Sequence, residues 1–355
     1  MAGMRQLLMA WALVGASAWP AAAQATFTLA GHDVRPGTRQ HIDLAVPAGR
    51  DPGTSIPVTV FHGVRPGPVL AITAGVHGYE FPPILAAQEL IERIDPSALR
   101  GTVILVTIAN VSAFEARTPY VNPVDQQNLN RVFPGRADGS QTERVAWALT
   151  TQVIRRADAH IELHSGDGAE WLDAFVGVYG GPLATDYPRA RAMAMAFGIR
   201  NLVRYSMDTQ QQIDSGRSLN RQAVADKKPT ILVEIGENGR RDAAFVAPLV
   251  DGVVNVLRTL DMLPGQIVAT REPPRWFDST VSANATTGGI LVPDVTTGQA
   301  ITRGQRLGVI RDYRGAVIEE VRSPVDGYAL YGLAGPPVKA GETVVTIAIP
   351  AKGPL

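Results

Sequence analysis

The stretch Val69-Leu70-Ala71-Ile72-Thr73-Ala74-Gly75-Val76-His77-Gly78-Tyr79-Glu80 passes from an apolar run into a glycine turn bearing an imidazole and a carboxylate. A short apolar run closed by glycine reads as a strand buried on both faces, the kind found in parallel sheets covered by helices. Ligands of open α/β sheets bind beyond the carboxyl ends of such strands, so His77 and Glu80 fall where a site is expected. Working outward, the segments alternate: Phe81 to Ile94 as helix, Val103 to Ala109 as strand, Thr142 to Arg156 as helix, Ala159 to His164 as strand. Phe175 to Tyr179, a helix near Ala190 to Phe197, the strand Thr230 to Ile235 and a long helix from Ala243 to Leu260 continue the series. Toward the N-terminus, Thr26 to about Pro68 is alternating and turn-rich, with Val58-Thr59-Val60-Phe61 its clearest strand, and reads as edge β structure. The predicted class is α/β: a mixed, mostly parallel sheet flanked by helices.

Pro264-Gly265 and then Pro273-Pro274 end this pattern, and short strands separated by Gly, Pro and Asp turns follow. Within this tail, Ile301 to Ile310 aligns with Val338 to Ile347, each copy giving a hydrophobic residue, a turn glycine and an alternating strand. Two such units, with a tight turn at Ser323-Pro324-Val325-Asp326-Gly327-Tyr328 between them, predict a small all-β domain that resembles a barrel-sandwich module. Lys339 sits in a Val-Lys-Ala-Gly turn rather than on an exposed hairpin between hydrophobic neighbours, so a carrier role is not expected. The domains predicted are an α/β domain over residues 26–265 and a β domain over residues 270–350, preceded by a leader over residues 1–25.

That leader has Arg5 ahead of an uncharged apolar run from Leu7 to Trp19, then Pro20 and Ala21-Ala22-Ala23-Gln24-Ala25. This is the pattern of a cleaved export signal, with processing after Ala23 or Ala25, and it predicts a periplasmic or secreted protein; a short N-terminal membrane anchor is the alternative reading. The 355 residues carry 33 Lys+Arg against 33 Asp+Glu. This neutrality gives no electrostatic footprint for nucleic acid. The absence of cysteine excludes disulfides, a catalytic thiol and thiolate ligands, leaving His and carboxylate as the donors for any metal.

His77 and Glu80 are three residues apart, a spacing that in a turn or helix brings ring and carboxylate to one side, where both can ligate a divalent cation. Catalytic zinc usually takes three protein ligands, and His164, closing its strand before Ser165-Gly166-Asp167-Gly168, fits as the third. In an extended chain His160, Glu162 and His164 share a face, which leaves His160 as a rival ligand and Glu162 as an acceptor behind the ligands. His32, His41 and His62 read as solvated surface residues. In Asn128-Leu129-Asn130-Arg131-Val132-Phe133-Pro134-Gly135 an Asn-Arg pair suits a carboxylate, although a surface loop with a capping Asn fits the same residues. Glu234 interrupts the apolar strand Thr230-Ile231-Leu232-Val233-Glu234-Ile235-Gly236; beside a metal such a carboxylate serves as general base and then acid. Glu237 reads as a turn residue. No Gly-x-Ser-x-Gly elbow follows the leader, and neither phosphate-loop nor dinucleotide glycine motif occurs, which sets serine hydrolases and nucleotide enzymes aside.

In their order, His77-Gly78-Tyr79-Glu80, Asn128 to Gly135, Glu162-Leu163-His164 and Glu234-Ile235-Gly236 resemble the succinylglutamate desuccinylase/aspartoacylase family, a branch of the zinc carboxypeptidase clan. The resemblance spans about Val58 to Leu260, and the β tail is similar to the C-terminal domain of bacterial deacylase members. It implies a zinc-carboxypeptidase-like fold and one Zn2+ per chain held by His77, Glu80 and His164. It further implies Glu234 as general base and acid, Asn130 and Arg131 as anchors of a substrate carboxylate, and Arg117 as stabiliser of the oxyanion. Glu162 departs from the family, whose members often carry Asp there, and the export signal is unusual beside cytoplasmic amino-acid catabolic members. The implied reaction is hydrolysis of the amide of an N-acyl amino acid or related small carboxylate, with ester cleavage left open. A zinc exopeptidase acting on peptides or cell-wall fragments, or a non-catalytic binding protein on the same fold, are the alternatives. The expected partner is a small molecule, with no nucleic acid and no membrane after signal cleavage; homo-oligomerisation is left open.

Overall fold

A computed structural model describes residues 24–215, 217–268 and 272–352. The export signal expected over residues 1–25 therefore lies, but for Gln24 and Ala25, outside the described residues. The chain opens with a small hairpin, β1 (Phe27–Leu29) and β2 (His32–Val34), followed by β3 (Thr38–Val46), β4 (Thr54–His62) and β5 (Arg65–Thr73). Then come α1 (Phe81–Arg93), β6 (Arg100–Val106), α2 (Val111–Ala116), α3 (Gln141–Ala148), β7 (Ala159–His164), β8 (Glu170–Leu172) and β9 (Phe175–Gly180). The α/β part closes with α4 (Tyr187–Phe197), β10 (Asn201–Ser206), α5 (Gln210–Asp214), α6 (Leu219–Ala225), β11 (Thr230–Glu234) and α7 (Ala243–Thr259). The tail is all β: β12 (Arg275–Asn284), β13 (Gly289–Pro293), β14 (Ala300–Ile301), β15 (Arg306–Arg311), β16 (Val317–Arg322), β17 (Gly327–Leu333), β18 (Pro337–Val338) and β19 (Thr343–Pro350).

One large sheet runs in the order β3-β4-β6-β5-β7-β11-β9-β10-β12-β19-β17-β14, with β8 paired to β17. β6, β5, β7 and β11 are mutually parallel, as are β9, β10 and the start of β12, and the two parallel blocks meet at an antiparallel seam between β11 and β9. The central strands carry side chains buried on both faces, which is why they read as unbroken apolar runs. Helices cover both faces: α1, α4 and α7 pack over one core with Leu70, Ile161 and Val233, while α3 and α6 cover the other with Val58, Ile104 and Val106. Ser140 caps α3, reciprocated by Glu143, and the helical path continues to Arg156 through a wider turn and a 3-10 turn.

Two expectations for the N-terminal region are corrected. β3 is an edge strand, but β4 lies inside the sheet between β3 and β6 and is buried along its second half. His62, at its end, is buried rather than solvated: Nδ1 accepts from the Thr102 hydroxyl at 2.8 Å and Nε2 donates to the Ala25 carbonyl at 2.7 Å. His32 and His41 are exposed, as their setting predicts.

The tail forms a second sheet, β16-β15-β13-β18, packed on the end of the large one around Leu291, Leu307, Ile310, Val338 and Ile347. Both copies of the repeat are a two-residue strand, a left-handed glycine (Gly304, φ 82°; Gly341, φ 85°) and a long strand. In each copy the short and long strands lie in different sheets, so the repeat stitches the sandwich together. β12 belongs to both parts, pairing parallel with β10 through Phe277 and antiparallel with β19 beyond it.

Candidate active site

The site forms where β5, β7 and β11 end. After β5 the chain turns through Gly75 and Gly78, and Gly78 has a local reason: a Cβ there would lie 2.2 Å from the Ala113 backbone in α2. Glu80 stands at the N-cap of α1, but its side chain makes no capping bond. Proline in the first turn of α1 removes an N–H that a cap would serve, which leaves the Glu80 carboxylate for the two imidazoles beside it. Oε1 lies 2.6 Å from His77 Nδ1, and Oε2 lies 2.8 Å from Nδ1 of His164 at the end of β7.

The remaining ring nitrogens are held from behind. His77 Nε2 donates to Asn128 Oδ1 at 3.2 Å, and His164 Nε2 donates to Glu162 Oε1 at 2.7 Å. Fixing Nε2–H on an acceptor leaves Nδ1 as the donor atom, the usual arrangement behind a metal-bound histidine. One ligand atom from each of His77, Glu80 and His164 lies within 4.8 Å of the others, so the residues fit a single divalent cation. The charge distribution fits as well. Burial alone would raise Glu80, but the two imidazoles outweigh it and hold the carboxyl down at about 2. Burial would lower His164, but Glu80 and Glu162 on either side raise it well above its ordinary value, a mark of the negative charge that surrounds the ring.

Glu162 is wholly buried and fully satisfied: Oε1 also accepts from Asn130 Nδ2 at 3.1 Å and Oε2 from the Asn220 N–H at 3.0 Å. Burial would raise its carboxyl, but His164 and these neighbours hold it below its usual range. His160 is no rival ligand: it is buried one step back along β7, its ring between the hydroxyls of Thr73 (2.9 Å) and Thr230 (3.0 Å). Burial pushes its pKa down to about 4, so the ring is neutral.

Glu234 closes β11 opposite His164 in register and lines the same cavity. Burial, reinforced by the charges of Glu80, Glu170 and Glu162, pushes its carboxyl well above the usual range although His164 opposes the shift. A carboxyl in that state is suited to take a proton and return it. Gly236, at φ 103°, turns the chain away directly afterwards.

Of the substrate-side residues, Asn130 and Arg131 line the cavity but differ in state. Asn130 is buried and its amide is committed at both ends, Nδ2 to Glu162 and Oδ1 to the Leu219 N–H at 2.9 Å, so it braces the first turn of α6 against β7. Arg131 is exposed and donates to the Asn130 carbonyl at 2.8 Å. Arg117 is not brought to the cavity: it is the exposed, left-handed C-cap of α2. Residues not singled out in the sequence complete the wall, notably Arg221 in α6, Tyr120, Glu170 in β8 and Tyr331 in β17. Tyr120 packs edge-on to His77, and its hydroxyl donates to Glu170. The cavity measures about 540 Å³, within the range of small-molecule sites.

The mixed sheet and the His-Glu-His cluster at its strand ends define an α/β protein with a candidate metal centre. The chain belongs to the succinylglutamate desuccinylase/aspartoacylase family, whose catalytic-domain model matches residues 66–260. It is similar to the N-alpha-acetyl-L-2,4-diaminobutyric acid deacetylase of Halomonas elongata, 29% identical over 321 residues that make up 87% of this chain and 91% of the relative. Among solved structures it resembles the succinylglutamate desuccinylase/aspartoacylase of Rhodobacter sphaeroides (TM-score 0.80, 22% identity, 91% of this chain and 99% of that one). It also resembles the product-bound ectoine utilization protein EutE (DoeB) of Ruegeria pomeroyi (TM-score 0.79, 24% identity, 93% of this chain and 100% of that one). Both likenesses bear on the fold.

Proposed function

We propose that this protein is a zinc-dependent amidohydrolase that removes the acyl group from an N-acyl amino acid or related small carboxylate. The observation that carries this reading is the convergence of three ligand atoms within 4.8 Å with Glu234 on the adjoining strand end. His77, Glu80 and His164 would hold the cation, which when bound supplies Lewis acidity toward a water and the acyl carbonyl. Glu234 takes the proton of the attacking water and delivers it to the leaving amine. Arg131 and Arg221, which both line the cavity, orient the substrate carboxylate through their guanidinium groups. Tyr331, brought in by the β tail, forms part of the cavity wall.

The test is elemental analysis of the purified protein, with amine release from a panel of N-acyl amino acids before and after chelation and zinc restoration. About one zinc per chain with chelator-reversible release is expected. No stoichiometric metal even after reconstitution would favour a binding protein, and zinc without release would favour a peptide or ester substrate. Export is part of the proposal. Of the two junctions, processing after Ala23 keeps Ala25, whose carbonyl accepts from buried His62 at 2.7 Å. The intact mass of the periplasmic protein reads this directly; an unprocessed cytoplasmic chain would overturn it.

A further inference from the structure

Far from the cavity, the segment ahead of β1 is tied to a buried ring. The Ala25 carbonyl accepts from His62 Nε2 at 2.7 Å, Phe27 lies against the same imidazole at 5.9 Å between centroids, and Arg156 donates to the Thr28 carbonyl at 2.9 Å. Gln24 is therefore held half-buried beside His62, its Nε2 3.1 Å from Nδ1 of that ring. The side-chain amide is poorly served there. With the His62 Nε2 proton committed to Ala25, Nδ1 offers one lone pair, and the Thr102 hydroxyl already donates to it at 2.8 Å. The amide oxygen Oε1 is buried without a hydrogen-bond partner among the described residues, a costly state for a polar atom. Loss of Nε2 would remove a competing donor from Nδ1 and no other hydrogen bond of that side chain.

Processing after Ala23, the junction that keeps Ala25 for His62, makes Gln24 the N-terminal residue. An α-amino group titrates at about 7.7–8.0, so part of it is the free base at neutral pH. That nucleophile and the amide carbon Cδ belong to one residue, separated by the chain length that closes a five-membered ring, and an intramolecular attack of this kind needs no second molecule.

We propose that Gln24 is a modification site, closing to pyroglutamate in the mature protein. The α-amino nitrogen bonds to Cδ, the Cδ–Nε2 bond breaks, and the leaving nitrogen takes up the proton shed by the amine and departs as ammonia. Oε1 becomes the lactam oxygen, and nothing is oxidised or reduced. A neutral ring then replaces the charged terminus and closes the chain to aminopeptidases. The inference rests on the export reading and its Ala23 junction, and is independent of the deacylase reading. To test it, the protein is expressed with its leader, isolated from the periplasm and held at neutral pH. Its intact mass is measured, and free amines are then dimethylated before digestion, so that rings formed during handling are excluded. The expected N-terminal peptide begins at residue 24, carries no label on its terminus and is lighter by one ammonia than the open form. A labelled, open Gln24 would overturn the proposal and leave export and junction standing. A chain beginning at Thr26 would overturn it and leave export standing, and an unprocessed cytoplasmic chain would overturn both. Gln24→Asn, too short to form the five-membered lactam, should keep a labelled terminus; the same loss of ammonia from that variant would place the change elsewhere and overturn the assignment to Gln24.

Discussion

The two sides of the cavity are built by different means. His164, Glu162 and Glu234 hang from β7 and β11, whose parallel register sets His164 beside Glu234, so neither moves without breaking strand hydrogen bonds. Tyr120, Asn128 and Arg131 come from the connection between α2 and α3, and Arg131 is exposed. Of the groups proposed to meet a cation or a reacting atom, His164 and Glu234 sit on the sheet while His77 and Glu80 sit on the turn into α1, and Arg131, proposed to meet the substrate, sits on a connection that can vary.

Substitutions on the strand side should be the most severe. Glu234→Gln is expected to lower kcat by about 10²–10⁴-fold with metal content unchanged; near-normal turnover would show that proton transfer is placed elsewhere. Glu162→Gln should weaken metal binding by about 10–100-fold, read by competition with a chelator, because His164 then loses its charged acceptor. Asn130 and Arg131 sharpen the contrast because they are neighbours in sequence but opposite in role. Asn130→Ala should cost about 1–3 kcal/mol of stability, seen as a lower Tm, since Glu162 and Leu219 both lose a partner. Arg131→Ala should leave Tm unchanged and raise KM. A raised KM with unchanged Tm for Asn130→Ala would move that residue to the recognition side.

A gentler probe is His160. Its folded pKa, about 4, is depressed below the ordinary histidine value of 6.5, so its contribution is full above that value and is lost as pH falls from 6.5 toward 4. Thermal melts across that window should show stability declining as the unfolded chain takes up the proton first, and His160→Gln should flatten the decline. Smallest of all is Arg117→Ala. Removing an oxyanion donor costs about 10²–10³-fold in kcat, and the exposed position of Arg117 predicts a change well short of that.

The strand side was legible in the sequence because buried parallel strands leave unbroken apolar runs, and a His or Glu at the end of such a run stands out. Hence β5, β7 and β11 and their terminal residues were readable from pattern alone. The other side was not. β10, α5 and α6 lie between Phe197 and Thr230, where no element was read; α5 and α6 are five and seven residues long, too short to display a helical period. Arg221 and Tyr331 are 110 residues apart in the chain, and only folding brings both to the cavity. Asn130 was legible as polar and near Arg131, but its bond to the Leu219 N–H depends on α6, which the sequence did not disclose. His62 was misread for a related reason: nothing local marks β4 as an interior strand.

β12 carries a consequence for engineering and for descent. Its first residues close the open side of β10, covering backbone groups that would otherwise invite another chain to pair. Cutting the protein at Pro264-Gly265, where the sequence changes character, would bare that edge together with Val203 and its apolar neighbours, and aggregation is the expected fate of such a fragment. The same tail supplies Tyr331 to the cavity wall and pairs with β8, so grafting it from one relative to another would carry part of the cavity wall and the cover of that edge together.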